Sequence, residues 1–411
     1  MATMNGKLST DPYKGVRDFY PEDMAIQRYI FDTWAQVVES YGFERYDASV
    51  LEPAELYRAK TGDEIVNEQT YTFKDRGDRE VTLRPEMTPT VARMVAARRR
   101  ELSFPLRWYS IPNLFRYERT QRGRLREHWQ LNCDIFGVDN AYADAEIIDI
   151  ADRILKNFGA KSEDFVIYIN DRQMLNRYFA SLNLSKEQTH QMYKLLDRRD
   201  KITTFADEAM AIIGRAFDEK ELESLTSERL SACIAILNKL GIYPQFKPSI
   251  VRGFDYYDGI VFEIFDTSPD NNRSLFGGGR YNNLTALFGG DPIPAVGFGM
   301  GDVTMRDFLA THGLLPDLIV GPRIMLLTAS PGVTDEARNT REQILAQGVN
   351  VALDISGKKL KDQITQAAKR KVPYIIVVGE DEVATNKFTL RNMTSGQEVS
   401  GSIPELISKI Q

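Results

Sequence analysis

Four short segments hold most of the side chains suited to gripping a charged, polar ligand. The first is Leu83-Arg84-Pro85-Glu86-Met87-Thr88-Pro89-Thr90, where a strand-like stretch runs into Arg-Pro-Glu-x-Thr. It sets a carboxylate and a hydroxyl at a strand-to-helix corner, with Glu86 suited to an ammonium group and Thr88 to a neighbouring polar atom. Read alone, it is also a surface turn with Thr88 as a helix N-cap. The second comprises Phe115-Arg116-Tyr117-Glu118-Arg119 and His128-Trp129-Gln130-Leu131-Asn132-Cys133-Asp134. Side chains on one face of a strand recur every two residues, so Gln130, Asn132 and Asp134 share a face, as do Arg116 and Glu118 on the partner strand. Five polar side chains on an otherwise central-looking hairpin are costly to bury without a ligand. The alternative is a sheet face open to solvent. The loop between them adds Arg122, Arg124 and Arg126, and guanidinium groups match phosphate oxygens in bidentate fashion.

The third segment is Val251-Arg252-Gly253-Phe254-Asp255-Tyr256-Tyr257-Asp258-Gly259, followed by the buried-type run Ile260-Val261-Phe262. An arginine, an aspartate and two tyrosines at the mouth of such a strand imply a polar pocket. The fourth is Phe276-Gly277-Gly278-Gly279-Arg280-Tyr281. Three glycines let a ligand approach the backbone closely, although a glycine cluster alone is as readily a turn.

The elements that must position these segments follow from periodicity. A helix is predicted after Pro21-Glu22-Asp23 to about Tyr41, where Gly42 ends it. Strands are predicted near 43–51, 68–73 and 80–83, and a helix after Pro85 with Val91, Met94 and Val95 on one face. Residues 106–118 and 127–137 read as an antiparallel hairpin around a long polar loop. Residues 172–240 are almost wholly helical and amphipathic, and strand patterning resumes over Ser249–Phe265. Two glycine-marked segments, Phe276–Tyr281 and Ala295–Gly301, precede a helix with Asp302 as N-cap that reaches Thr311. After the Pro- and Gly-bearing stretch 315–322, strand and helix alternate, as in a small α/β domain with a partly parallel sheet.

Bulk properties narrow the class. The chain has 411 residues, with 43% hydrophobic and 27% charged, which fits two or three globular domains. No apolar run approaches the roughly 20 residues of a membrane helix, and Met1–Pro12 is polar, without a signal-like core. Two cysteines (Cys133, Cys233) and three histidines (His128, His190, His312) lack metal-ligand spacing, so neither a disulfide framework nor a structural zinc site is expected. A net charge of −6 excludes a uniformly basic coat but leaves room for a local basic face.

Together the four segments resemble the histidyl-tRNA synthetase family over essentially the whole chain. Arg-Pro-Glu-x-Thr is similar to that family's amino-acid loop, and the Phe-Arg-x-Glu hairpin to class II motif 2. Arg-Gly-x-Asp-Tyr-Tyr and Gly-Gly-Arg-Tyr resemble its two histidine-specific motifs, the most specific signals present. The resemblance implies an α+β catalytic domain with an antiparallel sheet of class II synthetase type, in two parts (1–171 and 241–315). A helical insertion (172–240) and a C-terminal α/β anticodon-binding-like domain (323–411) complete it. It implies a cytoplasmic homodimer that activates histidine with ATP and Mg²⁺ and transfers it to the 3′ end of tRNA(His). Residue by residue, Glu86, Thr88 and Gln130 would hold the α-amino end, and Asp134 and Tyr257 the imidazole, with Tyr256 and Tyr281 lining that pocket. Arg116 would bind the α-phosphate, with Glu118 and Arg124 on the ATP side, and Arg252 would serve both the carboxylate and the α-phosphate.

Two departures stand out. Ser49 replaces the proline before motif 1, at the expected dimer interface. Thr304 replaces the motif 3 arginine expected on adenine and the γ-phosphate. Arg306 lies about 200° round the helix from it and cannot substitute, which leaves Arg119 or Arg273 to compensate. Thr304 also favours a rival, a synthetase-like paralogue serving as the histidine-sensing regulatory subunit of ATP phosphoribosyltransferase. Arg116, Arg252 and the C-terminal domain favour the ligase.

Overall fold

A computed structural model describes residues 8–58, 69–199, 202–217, 219–271 and 273–410. Part of the polar Met1–Pro12 terminus and the first residue of the predicted 68–73 strand therefore lie outside the described residues. Residues 8–18 and 27–315 form one compact unit, and 19–26 with 316–410 form another.

The first unit is built on a nine-stranded sheet. Its order is Glu44–Arg45, Leu106–Ser110, Glu127–Phe136, Ala295–Gly301, Ser274–Arg280, Ile260–Asp266, Phe165–Asp171, Gln245–Phe246, with Asn113–Phe115 also paired to Glu127–Phe136. All pairs are antiparallel except the two at its edges. Ala141–Asn157 is a helix because Ile147, Ile150, Ala151, Ile154 and Leu155 fall on one buried face, and the Asn140 side chain caps Ala143 N at 3.0 Å. The helices Arg172–Ser181, Lys186–Asp197 and Phe205–Ile213 share a small core of their own, with Leu175, Phe179, Met192, Leu196 and Phe205 buried together.

The second unit holds a five-stranded sheet in the order Val351–Leu353, Ile324–Thr328, Tyr374–Val378, Phe388–Asn392, Glu398–Gly401. The first three strands run parallel and the last two antiparallel. The final two strands carry no apolar run long enough to announce them in the sequence.

Four expectations need correction. The strand expected near 43–51 is only Glu44–Arg45, and Leu51 opens a separate strand, Leu51–Pro53. The predicted 106–118 strand breaks at Ile111-Pro112, since proline cannot donate to the ladder, and Gln130 N donates instead to Pro112 O (3.1 Å). Ser249–Phe265 is a strand only from Ile260. Before it, side chains take over the ladder's work: Asn170 Nδ2 donates to Pro248 O and Ile250 O (both 3.0 Å), and Arg172 Nη1 to Phe254 O (2.9 Å). Asp302 is no N-cap. Gly301 holds that position, and the fully buried Asp302 carboxylate accepts from Trp129 N (2.9 Å), Arg17 (2.7 Å) and Gln27 (2.9 Å).

Candidate functional site

One cavity opens where the central strands, the 86–88 corner and the irregular 252–257 segment meet. Glu86, Thr88, Arg116, Gln130, Asn132, Asp134, Arg252, Phe254, Tyr256, Tyr257 and Tyr281 line it, and Gly277, Gly297 and Gly299 join them. The sheet register explains the glycines. Gly297 faces Asp134 and Gly301 faces Gln130, with Gly299 between them. A Cβ at Gly297 would sit 2.0 Å from Asp134 Oδ1, and one at Gly299 would sit 2.8 Å from Gln130 Cδ. The bare strand leaves room for those two polar side chains to stand over the sheet.

The corner is fixed from beneath. Buried Arg84 donates to Asn113 O (3.0 Å) and Ala48 O (2.7 Å), and Arg116 Nε donates to Pro85 O (2.8 Å). Tyr256 OH donates to Glu86 Oε2 at 2.9 Å, and its ring stacks on Phe254 at 5.1 Å. Tyr256, Tyr257 and Tyr281 form an aromatic cluster with ring centroids 4.8–6.4 Å apart, Tyr281 edge-on to the other two and Tyr256 tilted against Tyr257. Such packing locks rotamers that a ligand would otherwise have to order.

Electrostatics single out Asp134. Its Oδ1 accepts from Tyr281 OH at 2.5 Å, while Oδ2 is buried and, among the described residues, has no hydrogen-bond partner. Burial pushes its carboxyl up to about 7, against the opposing hydrogen bond from Tyr281. Burial, with the Asp134 carboxylate adding, pushes the Tyr281 hydroxyl far above its ordinary range, so it remains a donor. A buried acceptor without a donor costs roughly 1–3 kcal/mol, a cost that a ligand's ring N–H would remove. The cavity thus combines two carboxylates, two guanidinium groups and an aromatic wall. That suits a zwitterionic amino acid with an N–H-bearing ring beside a phosphate.

Of the residues given a ligand role, the structure brings nine together in the lining and leaves two, Glu118 and Arg124, outside it. The strand ends at Phe115, so neither Arg116 nor Glu118 lies on it and the two-residue alternation does not carry Glu118 into the lining. Glu118 still meets Arg116 (3.9 Å), but off the cavity lining, where it also pairs with Arg124 (3.7 Å), whose side chain is largely exposed. Asn132, expected on the same strand face as Gln130 and Asp134, and Gly277, among the glycines expected to admit a ligand, also line it, whereas Phe254, Gly297 and Gly299 were not predicted as lining residues. The alternation Gly297, Gly299, Gly301 was a legible signal for a shallow strand face.

Comparison with known proteins adds independent findings. The family model described as histidyl-tRNA synthetase matches residues 15–302, and the one described as anticodon binding domain matches 323–411. The histidine–tRNA ligase of Leptospira biflexa serovar Patoc is 43% identical over 430 residues, covering 98% of each chain. The histidine–tRNA ligase of Thermoplasma volcanium is 37% identical over 97% of this chain and 98% of its own. The crystal structure of histidyl-tRNA synthetase from Nostoc sp. PCC 7120 superposes with a TM-score of 0.79 over 98% of this chain and 99% of that one. At 24% identity, that likeness speaks for the fold.

Proposed function

The chain belongs to the histidyl-tRNA synthetase family, and from that premise we propose that it is a histidine–tRNA ligase. It activates histidine with ATP to histidyl-adenylate and transfers the histidyl group to the 3′ end of tRNA(His). The observation that carries this reading is the convergence of Glu86, Arg116, Asp134 and Arg252, from separate stretches of chain, on one cavity. The regulatory-subunit alternative has less support, since full-length relatives at 43% and 37% identity are ligases.

In this reading Glu86, Thr88 and Gln130 hold the α-ammonium end of histidine. Asp134 Oδ2 accepts the ring N–H, Tyr257 faces the ring, and Tyr256 and Tyr281 wall it in. Arg116 takes the α-phosphate, with Glu118 and Arg124 on the nucleotide side, and Arg252 lies between carboxylate and phosphate. A carboxylate oxygen of histidine attacks the α-phosphorus, and the bond to pyrophosphate breaks. No side-chain nucleophile is needed, so catalysis is positioning plus electrostatic stabilisation. Mg²⁺ would neutralise the leaving phosphates. Glu118 Oε2 is a hard oxygen of the kind that ion takes; among the described residues it makes no hydrogen bond, and Arg124 Nε lies 3.7 Å from it. Histidine-dependent ATP–pyrophosphate exchange tests the whole reading: exchange with histidine and with no other amino acid is expected, and none above background would overturn it.

Residues 323–411 are proposed to bind the anticodon stem of tRNA(His). Ending the chain after Leu315 is expected to leave histidine-dependent exchange within a few-fold while depressing tRNA charging strongly. Equal loss of both activities would contradict this. We further place the protein in the cytoplasm, as a homodimer. On the small sheet Leu51–Pro53, Glu80–Leu83 and Tyr71–Lys74, register puts Leu51, Pro53, Val81, Leu83, Tyr71 and Phe73 on one face, and none of them is buried. An apolar face of that extent fits a partner copy; a monomer by sedimentation would count against it.

Thr304 Oγ1 donates to Leu275 O (2.8 Å), so the residue in the motif 3 arginine's place braces the strand below it. Arg273 is the better placed of the two candidate substitutes. It donates to the Arg122 carbonyl in the motif 2 loop, whereas Arg119 is exposed. The KM for ATP is therefore expected to be ordinary, and Arg273→Ala to raise it more than about threefold, roughly 0.6 kcal/mol. If neither Arg273→Ala, Arg119→Ala nor Arg306→Ala does so, compensation by these side chains is refuted.

A further inference from the structure

Resting on that catalytic reading, we propose that Glu263 is a positioning residue for adenylate formation, holding the Arg252 guanidinium in its working orientation, and that Ser274 in turn holds Glu263. Arg252 does not sit on a strand. It occupies a left-handed backbone conformation, φ +61°, in the irregular segment before Ile260. Left-handed backbone is uncommon for a residue with a long side chain and persists only where its surroundings impose it. Its backbone is therefore a poor determinant of where the guanidinium points, and the side chain needs an anchor elsewhere.

Glu263 supplies that anchor. It lies on the Ile260–Asp266 strand, and its Oε1 accepts from Arg252 Nη1 at 2.9 Å. The same oxygen accepts from Ser274 Oγ, at the start of the neighbouring strand. Glu263 also stands directly opposite Gly277 in the ladder. A Cβ at Gly277 would come 3.0 Å from Arg252 Nη1 and 2.4 Å from Phe262 O, so the bare position makes room for the guanidinium over the sheet. Arg252 Nη2 points to Gly277 O at 3.5 Å, and Nε is buried and, among the described residues, has no hydrogen-bond partner. One edge of the fork is thus clamped to Glu263, and a donor is left for the ligand. The Arg252 and Glu263 side chains are only 17% and 19% exposed, so the pair is sheltered from the screening that makes surface ion pairs weak. Glu263 is not among the cavity-lining residues, which is why its effect should pass through Arg252.

The test is single-turnover adenylate formation with histidine and ATP in the full-length protein. Glu263→Ala is expected to slow it on the order of 10²-fold, the cost of a misplaced catalytic group, with KM for histidine nearly unchanged. Glu263→Gln keeps an oxygen that accepts from both Arg252 and Ser274, and should recover most of the rate. Ser274→Ala should give a smaller loss in the same direction. Glu263→Ala added to Arg252→Ala should cost nothing further, which a merely structural residue would not satisfy. The proposal is overturned by a Glu263→Ala rate within about threefold of wild type, by additive losses in the double variant, or by a rise in KM for ATP or Mg²⁺ at unchanged maximal rate. The last result would make Glu263 a nucleotide-side ligand. If Glu263→Ala does not fold by thermal melt, Ser274→Ala and Glu263→Gln decide: additivity of either with Arg252→Ala overturns the proposal. Wild-type protein without histidine-dependent exchange would fail the catalytic reading itself, a result distinct from all of these.

Discussion

Arg252→Ala lowers the single-turnover rate of adenylate formation by roughly 10²–10³-fold, about 2.7–4 kcal/mol of transition-state stabilisation, while histidine binding changes little. The expectation follows from where charge moves. As the carboxylate oxygen closes on the α-phosphorus, negative charge gathers on the phosphoryl oxygens, and a cation already in place interacts with them more strongly than with the ground state. In the proposed reading Arg252 is such a cation; it is hydrogen-bonded to Glu263 and lines the cavity together with Arg116. Arg116 is anchored differently, through Pro85 O, and in the proposed reading it serves ground-state phosphate binding more. Its alanine variant should therefore move the KM for ATP as well as the rate. A loss of less than about tenfold in Arg252→Ala, roughly 1.4 kcal/mol, would remove it from the role of electrophilic catalyst.

The second large effect concerns Asp134, where function and stability pull in opposite directions. A site that hydrogen-bonds a ring N–H rejects an analogue lacking it by about 10⁴–10⁵, so exchange with histidine should exceed exchange with thienylalanine by that order. Asp134→Asn removes a charged acceptor, worth roughly 1.5–3 kcal/mol, and should lower kcat/KM for histidine by about 10–10²-fold. The same change should stabilise the empty protein at pH 8. The folded carboxyl is raised from 3.8 to about 7, so the native state holds that proton more tightly than the unfolded chain. Asp134 therefore costs nothing below about pH 4. Its cost grows as pH rises from 4 to 7 and stays at its full value above, up to about 4 kcal/mol. Melting curves should show Asp134→Asn well above wild type at pH 8, with the gap narrowing at pH 5. A gap that does not depend on pH would mean that Asp134 is not the titrating group. A kcat/KM for histidine within threefold of wild type would mean that Oδ2 does not meet the imidazole.

The sequence by itself determined which residues are chemically equipped and much of their local geometry. Gln130, Asn132 and Asp134 share a strand face because side chains alternate along extended chain, a rule that holds wherever the strand lies. The helical insertion and the alternating tail are legible for the same reason: helix and strand periodicities are local. That rule no longer applies where the backbone leaves its regular form, at Arg116 and Glu118 beyond the end of a strand and at Arg252 in a left-handed conformation. Tertiary structure alone decided the pairings that make a site. Tyr281 reaches Asp134 across 147 residues, and Tyr256 reaches Glu86 across 170. Both depend on the sheet order, which sets Ala295–Gly301 and Ser274–Arg280 beside Glu127–Phe136. Whether Asp302 caps its helix or ties three segments together, and whether Glu263 faces Arg252, depends on the same order. Local spacing carries no record of which distant strand will lie alongside; burial and register settle that only when the sheet closes.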